Sequence, residues 1–297
     1  MKWKNSFHPY ALITVLFWSL SYVFTRLALD SFSALSIGFL RYFFASCALA
    51  IVALSTKMKC PRRKDLPWFI ASGSLGFFLY MIGFNLGLTT VTASTGSVVI
   101  ATVPVMTALL ASFFYKETLR TYQWMAILIE FFGVAVLMLL NSVFSVNIGL
   151  IWLFGAAISL SLYNLAQRKL TENYSPLQAA TFSIFFGSLM LTAFLPGTIR
   201  EMPGAEGIHY IYIAVMGVCS SAAAYAAWAK AFSRAKQTSQ VSNYMFLTPF
   251  ATTLLGFLMA GEVPDRPTLL GGAIILLGML VFNFGGKLSK FFGDHSV

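Results

Sequence analysis

Charge is what this sequence has least of. Asp, Glu, Lys and Arg make up 10% of its 297 residues, where an ordinary globular domain carries about 25%. Water therefore does not solvate most of its surface. Acids are scarcest, 10 against 20 Lys and Arg. Cysteine is nearly absent, and Cys47, Cys60 and Cys219 show neither metal-ligand spacing nor a disulfide framework. His8, His209 and His295 stand at ends or in loops, and no second acid accompanies Glu130, the one acid deep in an apolar stretch. An integral-membrane enzyme would need a cluster of such groups at depth, so neither catalysis nor a cofactor is expected. Soluble domains, low-complexity linkers and strand-like alternation are also missing.

What remains is apolar. Hydrophobic residues make up 58% of the chain and the mean hydropathy is +0.77. Ten apolar segments can be counted, roughly 9–29, 33–55, 67–89, 94–115, 121–140, 148–167, 175–195, 209–229, 239–260 and 267–285. In lipid every backbone polar group needs an internal partner, so such segments cross as helices. Arg26 and Asp30 follow the first segment without a convincing cleavage site, which reads as a retained span rather than a signal peptide. The expected fold is all-α and integral to the membrane, with ten transmembrane helices.

The chain repeats itself. Shifting it by 145 positions lays Ser94 on Ser239, Ser97 on Ser242, Pro104 on Pro249, Thr107 on Thr252, Leu109-Leu110 on Leu254-Leu255 and Glu117 on Glu262. Gly133 then falls on Gly278 in the next segment. Nearer the start of each copy the offset is 142, with Ser19-Leu20 on Ser161-Leu162, Arg26 on Arg168 and Ser33 on Ser175. A three-residue difference between the second and third spans reconciles the two offsets. The halves are 1–145 and 146–297.

Orientation follows from Lys and Arg. With the N-terminus inside, sixteen basic residues fall on the inner side, and only Arg26, Arg41, Arg200 and Arg266 on the outer. Both termini are then cytoplasmic. The net charge of +10 reflects topology and not a nucleic-acid partner. Five spans per copy is an odd number, so the second copy is inserted upside down. Inverted repeats point to alternating access around a midplane site between the halves.

These residues resemble the EamA-type transporters of the drug/metabolite transporter superfamily over nearly the whole chain. The resemblance rests on Phe17-Trp18-Ser19 with Arg26, the run from Arg41 to Ala45, and Ala93-Ser94 through Val103-Pro104-Val105 to Lys116-Glu117. It rests further on Trp124 with Gly133-Val134, on Leu247 to Pro249, on Gly261-Glu262 and on Gly271 to Gly278. It implies that spans one to four and six to nine surround a central cavity, with five and ten peripheral, where a homodimer contact would form. It implies movement of small metabolites, often outward: amino acids, nucleosides, related compounds or drugs. One departure is that the Gly-Glu expected after the fourth span reads Lys116-Glu117.

Polar and aromatic side chains inside the spans select a cavity wall, because amides and phenols are costly against lipid. The expected lining is Trp18, Tyr22, Tyr80, Asn85, Ser97, Tyr163, Gln167, Tyr225, Trp228 and Asn243. Ser19, Thr25, Ser94, Asn164, Ser221, Ser239 and Ser242 lie on the same stripes, and any of these groups serves equally in bonds between helices. Pro104 and Pro249 free the carbonyls of Ile100 and Met245 and are expected to act as hinges. Glu130 reads either as a proton-coupling group, as a carboxyl bonded to a neighbour, or as part of a dimer contact. Arg26, Arg41, Glu117, Glu262 and Lys230 near span ends read as gate ion pairs or as snorkelling charges. The expectation is an inner-membrane exporter of small organic solutes, with protons as a coupling ion open.

Overall fold

In a computed structural model of the chain, residues 6–116, 118–140, 147–234, 241 and 243–293 are described. Their regular structure is helical, and no strand occurs among them. We number the long helical runs α1 (His8–Ala28), α2 (Ala34–Ser55), α3 (Arg63–Gly87), α4 (Ala93–Tyr115), α5 (Thr121–Leu140), α6 (Ile148–Thr171), α7 (Pro176–Gly204), α8 (Gly207–Val215 continuing to Arg234), α9 (Leu247–Ala260) and α10 (Arg266–Gly293). Among the described residues eight helices are long and apolar enough to cross a membrane, and parts of α5 and α9 are shorter apolar helices.

Short side chains start these helices. Ser33 Oγ accepts from the amide of Ser36 ahead of α2, and Ser175 Oγ accepts from Gln178 ahead of α7, the same cap at the same place in each half. Thr92 and Asn147 open α4 and α6 in the same way. Several runs, α8 to Arg234 among them, extend past the expected limits. Helix α6 reaches Thr171, α7 continues through short turns to Gly204, and α10 runs to Gly293. Backbone hydrogen bonding does not stop where the apolar pattern does.

Two interruptions recur. α3 holds a π segment at Ser74–Leu79 and α8 another at Met216–Ala223, overlapping positions under the 145 offset. Each inserts a residue and re-aims the side chains beyond it. The fourth span breaks at Ala101-Thr102, between Ala93–Ile100 and Val103–Tyr115, and a 3-10 turn at Asn243–Phe246 precedes α9. Pro104 and Pro249 therefore sit in the first turn of the following helix, where a missing N–H is tolerated. Each is a helix restart and not a kink in a continuous span.

Packing exchanges elements between the halves. α1 packs on α8 and α9, whereas α6 packs on α3 and α4; α2 meets α7 and α8, and α3 meets α7. Small residues let backbones approach, as lipid-embedded contacts require. A side chain at Gly73 would fall 2.8 Å from Gly187 N, and one at Gly217 2.6 Å from Arg41 O. α5 and α10 form a separate pair. Gly133 faces Ile275 there, and Gly278 faces Glu130, so two matched glycines receive two matched knobs. Leu16, Phe43, Leu54, Phe113, Phe132 and Leu258 are exposed on the outside, a surface suited to lipid.

Candidate functional site

A cavity of about 290 Å³ lies between the halves. Helices α1, α2, α3, α4, α6, α7 and α8, the start of α9 and Met279 of α10 reach it, so its wall comes from both copies. Under the repeat, Tyr80 corresponds to Tyr225, Ile100 to Met245 and Val103 to Thr248, and all six line it. Tyr80 and Tyr225 stand just beyond the two π segments, which is how those segments serve the site.

Most of the expected lining meets here. Trp18, Tyr22, Tyr80, Ser97, Tyr163, Gln167, Tyr225 and Trp228 all face the cavity, with Pro104 at the break in α4. Trp18 packs on Trp228 with ring centroids 5.1 Å apart and edge-on to Tyr225 at 5.9 Å. Gln167 donates from Nε2 to Ser72 (2.8 Å) and Ser183 (3.0 Å), and Asn164 donates to Thr107 Oγ1 (3.1 Å). Both amides are thereby fixed, and an amide whose nitrogen is occupied keeps its oxygen as an acceptor.

Other expected residues lie elsewhere. Asn85 is fully buried outside the lining, where Nδ2 donates to Ala34 O (2.9 Å) and ties α3 to the start of α2. Pro249 is buried in α9 and is not among the described lining residues. Glu130 is 2% exposed in the α5–α10 seam, away from the cavity, with neither carboxyl oxygen hydrogen-bonded among the described residues. Glu117, Ser239 and Ser242 lie outside the described residues, as does the Asn243 side chain.

Two serines meet the backbone beside the helix breaks. Ser161 Oγ lies 3.3 Å from Val103 O, the carbonyl just before Pro104, and 2.7 Å from Ala157 O in its own helix. Ser19 Oγ donates to Thr248 O (3.3 Å), the carbonyl just before Pro249. Ser19 and Ser161 are repeat partners, and each serves the other half's proline. Polar backbone at membrane depth finds a protein partner in both cases.

An ion pair ties the helices together at one end of the bundle. Arg26 Nε bonds Glu262 Oε1 at 2.9 Å while its Nη1 donates to Leu88 O at 2.7 Å. Glu262 Oε2 accepts from the amide of Ala93 at 2.8 Å. The pair thus joins the ends of α1, α3 and α9 to the start of α4. The cavity runs the other way, to Thr171 and Pro176 where α6 gives way to α7, and both of these residues are exposed.

Arg41 is the residue that sequence reading misplaced. Counted with the outer charges, it instead lines the cavity and is 5% exposed. Its Nε donates to Ser221 Oγ (3.0 Å), and its guanidinium lies 5.6 Å from the centre of the Tyr42 ring. The signal was depth: Arg41 stands seven residues past Ala34, about 11 Å along α2 at 1.5 Å per residue.

Comparison with known sequences follows the same division into halves. The model of the EamA-like transporter family matches residues 6–139 and again residues 147–284. The chain belongs to the EamA-like transporter family. It is a multi-pass membrane protein built of two family repeats. Among curated relatives of this transporter, an uncharacterized transporter, YdfC, of Bacillus subtilis is 29% identical over 94% of this chain and 91% of its own. A probable terminal-alkyne amino-acid exporter of Streptantibioticus cattleyicolor is 27% identical over 92% and 91%. An S-adenosylmethionine uptake transporter of Rickettsia felis is 24% identical over 84% and 83%. These names include both export and uptake, so they fix transport but not its direction.

Proposed function

We propose that this EamA-family transporter is a ten-span carrier of small organic solutes in the cytoplasmic membrane, with both termini inside. Its halves, 1–145 and 146–297, act as inverted repeats that expose one central site alternately to each side. The exchange of contacts supports this reading: α1 treats α8 and α9 as α6 treats α3 and α4. The reciprocal contacts of Ser19 with Thr248 O and Ser161 with Val103 O support it at the level of atoms. Two copies related by a two-fold axis in the membrane plane would give such pairs.

The observation that carries the proposal is a cavity lined from both halves, closed at one end by Arg26–Glu262 and reaching exposed residues at the other. By the distribution of basic residues the closed end is outer, and the conformation is inward-facing. The repeat partners of the latch are Arg168 and Glu117 at the inner end. In the outward-facing state they take over the closing role, while Pro104 and Pro249 restart helices that swing about the breaks beside them. A carrier that waits facing the cytoplasm is suited to export, the direction in the name of one relative, though another is named for uptake.

Counterflow in proteoliposomes tests the carrier. Preloading with unlabelled solute should make entry of labelled solute saturable and transiently concentrative. Conductance without counterflow would make the protein a pore, and the alternating-access reading would fall.

A further inference from the structure

Among its described lining residues the cavity has one fixed charge and no counter-charge. Arg41 lines it, almost wholly buried, with one nitrogen held by Ser221, itself fully buried. None of the described residues lining the cavity is Asp or Glu. The described acids are placed elsewhere. Glu262 holds Arg26, Glu201 accepts from the amide of Ser33, Asp65 accepts from Tyr174, and Glu130 lies in the α5–α10 seam. A guanidinium left in a low-dielectric pocket without an anion is costly, whereas a bidentate carboxylate on its terminal nitrogens offsets that cost. Around it the wall is aromatic: Trp18, Tyr22, Tyr80, Tyr163, Tyr225 and Trp228. Such a wall attracts cations by itself, but Arg41 in the same small space repels them.

We propose that Arg41 is the anion-binding group of the cavity and that the solute carried is a small organic acid, a single carboxylate on an apolar or aromatic body. This rests on the carrier reading above and narrows its substrate. Ser221 positions the guanidinium from the π segment of α8, so that the Nη edge is left for the solute. The cavity, near the lower end of the usual 300–1,000 Å³ range for ligand sites, admits one such molecule. The amide oxygens of Asn164 and Gln167 are acceptors, so an amino acid fits as well as a simple acid and a lipophilic cation does not.

Four probes on one ring separate the charges: 3-phenylpropionate, phenylalanine, phenylalaninamide and phenethylamine. Binding to the full chain in detergent is followed by tryptophan fluorescence, because Trp18 and Trp228 line the site. The expected result is binding of the two carboxylates and of neither amine-only probe. Arg41→Gln should weaken the carboxylates about 10- to 100-fold, the loss expected of a buried charge-assisted hydrogen bond. Arg41→Lys should retain part of the affinity, and Ser221→Ala should weaken it less than Arg41→Gln. Amine binding equal to acid binding, unchanged acid affinity in Arg41→Gln, or no binding of either acid to the natural chain would each overturn the assignment. Counterflow of any other bound solute would still leave the carrier intact, so the two readings fail separately.

Discussion

At the end of α4, Lys116 holds a φ of 54°, and at the matching end after α9, Gly261 holds 63°. Both lie in the left-handed region, which an L side chain resists by about 1–2 kcal/mol. The Lys-Glu that departs from the family's Gly-Glu is therefore a backbone matter before it is a matter of charge. Lys116→Gly should raise stability by about 0.5–1 kcal/mol, the strain relieved less the entropy a glycine loses on folding; a thermal midpoint unchanged or lowered would refute this. Glu130 is the second residue with a legible mismatch. It fills the place that Ile275 fills in the other half, against Gly278, yet brings two oxygens with no partner among the described residues. Glu130→Ile should stabilise by about 1–3 kcal/mol, because an unsatisfied buried group is removed and the knob is kept. If concentrative transport fell while exchange survived, Glu130 would instead be the proton-coupling group.

At the scale of elements, the repeat was readable because identical residues return at fixed offsets, and the matched Ser33 and Ser175 caps lie where those offsets put them. The breaks were only half readable. Proline announces that a bond is missing, but not that the helix stops at Ala101-Thr102 and restarts. The π segments leave no mark in composition, since every residue in them is compatible with an ordinary helix. Arg41 was misread because counting basic residues treats each as a surface charge, and its partner Ser221 lies 180 positions away. The latch had the same difficulty, with 236 positions between Arg26 and Glu262. If the break in α4 is a pivot, Pro104→Ala should let the segments fuse into one helix. Solute affinity would then stay within about threefold while turnover falls about tenfold, a split that separates uniform binding from the conformational step. Affinity and turnover falling together would make the proline a part of the wall.

For the whole molecule, the closed end and the open end predict a pattern of access. In a chain with its three cysteines replaced, Ser97→Cys in the cavity should react with an impermeant thiol reagent from the cytoplasmic side. Adding Glu262→Gln removes the acid that holds Arg26 and the Ala93 amide. Labelling of the same cysteine from the outer side should then rise severalfold, as the population shifts away from the closed outer end. Outer labelling unchanged in that variant would reduce the pair to a structural staple. Reaction from the outer side alone in the unlatched and latched proteins alike would reverse the orientation assigned here.

The guanidinium of Arg41 also has an electrical consequence. As the cavity turns from one side to the other, this charge passes between the potentials of the two compartments. For the empty carrier, turning outward is equivalent to moving one positive charge against an inside-negative voltage, about 2.3 kcal/mol per 100 mV. A bound monocarboxylate cancels that charge, and the loaded carrier turns without sensing the field. A clamped voltage in proteoliposomes should therefore leave exchange of acid for acid unaffected, accelerate net efflux when the interior is negative, and lose that acceleration in Arg41→Gln. The cell's resting voltage would then draw each emptied carrier back to face the cytoplasm, with no coupling ion required.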